Sequence, residues 1–336
     1  MQKAQLKEQP LYRDLLRGAL EITWHRRELW LLGLLASLLM MNGGAFEFIV
    51  RAVFKIASGA PFSGGIQYFE LTIDGIAYGD TATRASLFFS ILIGLSLFAL
   101  GAILAIAASG GLLSAAAKKA LKKPVSLRGA FGEGMEKLGP LVLTQLLGRI
   151  TIFCTYILAS LGMYLTFEST GSIILAIALF VAFSATALAV SFLMMMTNAG
   201  IMIGKDGWIN AAHNACRFFR RHWLVSLEMI GLVFIVALAA SILTIAAGIV
   251  LLVPFALIVV ALAALHLSAT LPICLFVYGI VILALFAAVG SMLAVFNHSA
   301  WSLLYVRLAD RGATAKLERL WQIIKKAKSH ARSAKR

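Results

Sequence analysis

Residues 86–109 read SLFFSILIGLSLFALGAILAIAAS. This stretch holds no Asp, Glu, Lys, Arg or His, and its apolar residues fall on every face of a helix rather than on one stripe. A helix apolar all round belongs in a deep core or a bilayer, and about 20 such residues cross a hydrocarbon layer. Similar runs occupy residues 141–165, 173–196, 224–248 and 271–297, and a shorter one starts at Leu29. The whole chain agrees: 61% of its 336 residues are hydrophobic and only 13% are charged, against about 25% charged in an average soluble domain. The mean hydropathy is +0.91. A water-soluble fold needs a charged exterior that this composition cannot supply. The sequence predicts an all-α integral membrane protein of about six transmembrane helices.

Charge sets the orientation. The formal net charge is +15. Of the 30 Lys and Arg, all but Arg51, Lys55, Arg84 and Arg149 lie in residues 1–28, 118–138, 204–222 and 307–336. These clusters flank apolar runs, the pattern of cytoplasmic loops under the positive-inside rule, and not that of a nucleic-acid surface. The expectation is a cytoplasmic (inner) membrane protein with both termini in the cytoplasm, an anionic inner leaflet as partner, other membrane proteins as further partners, and no nucleic acid. Cys154, Cys216 and Cys274 have no spacing suited to a metal site or a disulfide framework, and no cofactor is expected. The run from Leu29 follows a charged segment without a small-residue cleavage site, so it reads as a retained first span.

The chain divides into a cytoplasmic amphipathic segment (1–28), a polytopic region (29–308) and a basic cytoplasmic tail (309–336). An outer loop is expected over 58–84, with a small hairpin around Asp74-Gly75. Residues 45–57 read as a second amphipathic stretch. Between Leu224 and Leu308 three helices fit, near 224–248, 251–266 and 271–297. An odd number of crossings would place the basic tail outside, so two full crossings are preferred. The Pro254 segment is then a bent extension or a re-entrant piece. In the tail, Leu317, Leu320, Trp321 and Ile324 share a helical face ahead of Lys325 and Lys326. That pattern fits a helix on an anionic leaflet or a solvated tail that fixes orientation.

An amphipathic helix leads directly into a span three times: from Leu11 (LYRDLLRGALEITWHRRELWLLGLL), from Ser126 (SLRGAFGEGMEKLGPLVLTQLLGRI) and from Trp208 (WINAAHNACRFFRRHWLVSLEMIGL). Tyr12, Leu15, Leu16, Ala19 and Leu20 form the first apolar face; Trp208, Ala212, Ala215, Phe219 and Trp223 form the third. Each unit would lie along the inner surface and then turn into the bilayer. Trp24, Arg26, Arg27, Arg217, Arg220, Arg221 and Trp223, with Trp321, Lys325 and Lys326 of the tail, are the expected membrane-surface residues. The units are either a three-fold pseudo-repeat of hairpins or independent anchors, one per cytoplasmic loop. This layout, the segment GKDGWINAAHNACRFFRRHW and the closing WSLLYVRL resemble six-span bacterial membrane families similar to the membrane domain that accompanies some glycerophosphodiester phosphodiesterases. No soluble catalytic barrel is attached here, so the resemblance implies a membrane module and carries over no catalytic residue.

Polar residues within spans are few, and burying each is costly. Arg149, Glu228, Gln145, Asn297 and His298 form the candidate intramembrane polar set, with an Arg149–Glu228 pair conceivable if their spans are neighbours. His266 reads as interfacial, and Met194, Met195 and Met196 read as filler, since consecutive helical positions point apart. HExxH, GxSxG, P-loop, voltage-sensor and TVGYG patterns are absent. Three function classes follow: a non-enzymatic module organising or regulating envelope components, a transporter of a lipid or other small molecule, and an intramembrane enzyme.

Overall fold

The computed structural model describes residues 11–38, 80–121, 124–166, 172–264 and 271–311. Every element among them is helical: α1 (Leu11–His25), α2 (Leu29–Leu38), α3 (Thr81–Ala120), α4 (Leu127–Glu136), α5 (Leu138–Thr166), α6 (Ser172–Ala199), a π-turn (Gly200–Gly204), α7 (Trp208–Ala264) and α8 (Leu271–Arg311). Of these, α3, α5, α6 with its π-turn, α7 and α8 are long and apolar enough to cross a bilayer. The chain is an all-α, multi-pass membrane protein. The expected first span begins in α2, and its remainder lies outside the described residues, as do the 45–57 stretch, the hairpin at Asp74-Gly75, His266 and the tail beyond Arg311.

Helix α8 is the hub. It packs against α1, α2, α3, α6 and α7, while α6 lies between α5 and α7, and α5 returns to α3. Asp14 of α1 faces Arg307 of α8 at 4.0 Å, so both ends of the described chain sit at one end of the bundle. That end is tightly packed and the other is not. In α3, Ala105 and residues 107–117 are buried, whereas Phe88, Phe89, Leu95, Leu97 and Phe98 are exposed. The buried residues of α6 and α8 likewise gather near Phe192–Met202 and Ser291–Leu308.

Helix length explains this division. The uncharged part of α3, residues 85–117, rises about 50 Å at 1.5 Å per residue, well beyond a hydrocarbon core of about 30 Å. The exposed part, residues 85–104, rises about 30 Å. Lipid covers that length, and the remainder is covered by protein. Two glycines mark close helix crossings at the packed end. A Cβ on Gly94, Gly101, Gly231 or Gly279 would meet nothing within 4 Å, but one on Gly134 would lie 2.0 Å from the Ala107 carbonyl oxygen and one on Gly33 2.4 Å from that of Ser291.

Two expectations change in detail. Helix α3 starts at Thr81, before the expected loop end at 84, because the Asp80 side chain accepts from the Thr83 amide (3.0 Å) and caps the helix. The chain does not re-enter at Pro254. Helix α7 runs through it unbroken to Ala264, and the non-helical residue in α7 is His222 (φ −131°, ψ 34°). Residues 251–264 therefore extend the preceding span, and among the described residues of 224–308 there are two long helices.

Candidate functional site: the basic end of the bundle

The three short amphipathic segments close the packed end as a collar. Their apolar faces turn inward. Leu15 and Ala19 of α1 join a cluster with Trp301, Leu304 and Leu308 of α8; Ala215 of α7 joins the same cluster. Ala130 of α4 packs with Ala108, Leu112 and Ala116 of α3. The bundle itself receives these faces. Burial of large side chains at helix–helix contacts stabilises each seat by roughly 1.5–3 kcal/mol per side chain. Leu20 and Trp223, on the same apolar faces by spacing, are exposed, and Ala211 is buried with Ala215.

Polar contacts lock the collar. The Glu133 carboxylate of α4 accepts hydrogen bonds from Ser114 and Lys118 of α3. Burial alone would raise its pKa. The bonds from Lys118 and Ser114 and the positive charges of Lys118 and Lys205 outweigh burial and hold it below the ordinary carboxylate value. Lys137 donates to the Ile201 carbonyl (2.5 Å), Trp208 Nε1 to Thr144 Oγ1 (3.1 Å), and Ser302 to the Leu113 carbonyl (3.0 Å). Each joins segments distant in sequence, and no spacing rule would have found them. The π-turn ends at Lys205 in the left-handed region (φ 56°), whose amide returns to the Gly200 carbonyl. Asn214 then donates to Asp206 (3.1 Å), fixing the entry to α7.

The short segments bend into their spans in comparable ways. Lys137 (φ −106°, ψ 22°) separates α4 from α5, and His222 adopts nearly the same backbone conformation within α7. In the first unit the residues 26–28 make the break, and Trp30 Nε1 donates back across it to the Thr23 carbonyl (2.7 Å). The element order of short helix, span and returning helix recurs from α4 to α6 and from α7 to α8.

The candidate polar residues do not converge. Arg149 is half-buried and makes no ion pair among the described residues. It sits on α5, whose main neighbours are α6 and α3, while Glu228 sits on α7 beyond α6. The two spans are not neighbours, and the Arg149–Glu228 pair does not form. Arg149 lies about 17 Å along α5 from its start. Gln145 is half-buried on the same helix, with its side-chain oxygen buried and without a hydrogen-bond partner among the described residues. His298 is fully enclosed, and its Nδ1 donates to the Ala294 carbonyl (2.7 Å). Asn297 is half-buried beside it. Asn198 was overlooked in the sequence. It is 2% exposed in α6, and its side-chain oxygen finds no hydrogen-bond partner among the described residues. The signal was visible, since Thr197-Asn198 interrupts an apolar run as Asn297-His298 does.

Among the described residues no three His, Cys, Asp or Glu side chains gather as a metal site. A surface groove of about 320 Å³ lies between α1, the end of α3 and α8, lined by Leu15, Gly18, Ala120, Leu303, Asp14 and Arg307. Its acid and base face each other. Outside the collar, Arg27, Arg217, Arg220 and Arg221 are exposed and Arg26 is half-buried. Trp24 and Trp223 are 57% and 55% exposed. Trp321, Lys325 and Lys326 lie outside the described residues. The chain matches no protein-family model, no curated protein and no solved structure.

Proposed function

We propose that this protein is a non-enzymatic membrane module that organises or regulates other envelope components, with its basic end and both termini on the cytoplasmic side of the inner membrane. The observation that carries this reading is the collar. Its apolar faces are consumed in packing, its ion pairs and hydrogen bonds tie the helices to one another, and its candidate polar residues stay dispersed. Such an end is a rigid platform rather than a reaction chamber. The layout that resembles the membrane domain of some glycerophosphodiester phosphodiesterases supports a module of this kind. Affinity purification of the full chain from its native membrane, read by mass spectrometry, tests it. A stoichiometric protein partner that is lost when collar residues are changed supports the reading; recovery of the chain alone across mild detergents counts against it.

A second reading, handling of a lipid or another apolar molecule, draws on the open far half, where a Cβ on Gly94, Gly101 or Gly279 would meet nothing within 4 Å. Lipid flux in vesicles reconstituted with the protein, above protein-free vesicles, would favour it over the first.

A further inference from the structure

We propose that two of the three elbows, where a collar helix bends into a span, are binding sites for the headgroups of anionic phospholipids. The first elbow carries Trp24, Arg26 and Arg27, and the third carries Arg220, Arg221 and Trp223. The order of residues is reversed between them, Trp-His-Arg-Arg against Arg-Arg-His-Trp, but the content is the same. In both, the indole is more than half exposed, and none of the four arginines is ion-paired to a carboxylate among the described residues.

The elbows are built, not loose. Trp30 Nε1 bonds to the Thr23 carbonyl (2.7 Å) across the first, and Trp24 meets Trp30 edge-on with ring centroids 6.5 Å apart. The third is set by the non-helical backbone of His222 (φ −131°, ψ 34°), and Ser226 donates to the His222 carbonyl (3.0 Å) in the first turn of the span that follows. Each bend therefore carries two arginines within three residues of an exposed indole, at the point where a short segment gives way to a span. Guanidiniums grip phosphate oxygens in pairs, and Trp settles at headgroup depth. Glu21 and Glu28 border the first elbow, so the third is the stronger of the two.

The second elbow is the internal comparison. Its cation, Lys137, is spent on the Ile201 carbonyl (2.5 Å), Glu136 is exposed beside it, and it has no aromatic residue. It binds no headgroup. Nucleic acid and soluble acidic proteins fit less well, because the exposed indoles would then be left in water.

The inference rests on the bilayer crossing of the spans and not on the organising role, so either can fail alone. The test is native mass spectrometry of the full chain titrated with phosphatidylglycerol, and separately with phosphatidylcholine. Wild type is expected to retain two phosphatidylglycerol molecules above the phosphatidylcholine background. R26A/R27A and R220A/R221A should each lose one, with about a 30-fold drop in affinity, from the attraction of two cations to an anionic leaflet. R128A, an exposed cation away from any elbow, should bind as wild type. R26K/R27K and R220K/R221K keep the charge but lose the paired grip, and should bind between wild type and the alanine variants, which separates lost recognition from lost folding. Elbow variants that bind phosphatidylglycerol like wild type, equal retention of phosphatidylcholine, or displacement of the lipid by inorganic phosphate would each overturn the proposal.

Discussion

Gly134→Ala tests the packed collar most sharply, because two physical effects on it have opposite signs. Gly134 lies inside α4, where alanine is the better helix former by about 1 kcal/mol. Propensity alone therefore predicts stabilisation. The packing predicts the reverse. A Cβ there would sit 2.0 Å from the Ala107 carbonyl oxygen, 2.9 Å from its carbon and 3.0 Å from the Gly111 amide nitrogen. These are backbone atoms of α3, so no rotamer change relieves them. Helix α4 would have to withdraw by about 1 Å to reach ordinary contact, while Ser114 and Lys118 hold Glu133 to α3. Overpacking of this kind costs about 1–3 kcal/mol, and occasionally more. At the upper end of that range the net effect is destabilisation by about 2 kcal/mol once propensity is offset. Gly132 supplies the control: it is in the same helix, and its Cβ would meet nothing within 4 Å. Gly132→Ala should stabilise by about 0.5–1 kcal/mol. The assay is thermal unfolding of both variants, purified side by side in one detergent and followed by the fraction remaining monodisperse on size exclusion. The midpoints should move in opposite directions. If Gly134→Ala melts at or above wild type, the Ala107/Gly111 and Ala130/Gly134 crossing is not the close contact described, and the reasoning fails.

Glu133 gives a pH prediction. Its folded pKa lies below its unfolded value, so its contribution is present above the ordinary carboxylate pKa and is lost as pH falls through the folded one. Thermal midpoints should drop on acidification in wild type, and Glu133→Gln should be less stable near neutrality but flatter across that window; parallel curves would refute the clamp. Lys205 sits at φ 56°, a strained place for a side chain, so Lys205→Gly should stabilise by about 1 kcal/mol and Lys205→Val should destabilise, read as denaturation midpoints. For orientation, single cysteines at the exposed Thr81 and Arg128 positions, in a chain lacking Cys154, Cys216 and Cys274, should differ in labelling by an impermeant maleimide on intact cells, with Thr81→Cys reactive and Arg128→Cys protected. Equal labelling would contradict the proposed sidedness.

The sequence by itself determined the membrane class, the places of the long helices and the three entries of an amphipathic helix into a span. These follow from local properties: uninterrupted apolar length, clustered cations and helical spacing, all of which one segment expresses without its neighbours. Periodicity also found most of the inward faces, such as Leu15, Ala19 and Ala215, but it could not say what they face. Only the tertiary structure decided that α8, and not lipid, receives α1. It also showed that α6 separates Arg149 from Glu228, and that α3 and α4 meet through Ala107, Gly111, Ala130 and Gly134. Spacing put Leu20 and Trp223 on the apolar faces with Leu15 and Ala215, and the bundle covers only the latter two, because an apolar residue at the edge of a helix is covered by protein only if another element reaches it. The course of the chain through Pro254 was undecided for a related reason. Proline removes one backbone donor, but whether the helix bends there depends on surroundings that a single segment does not contain.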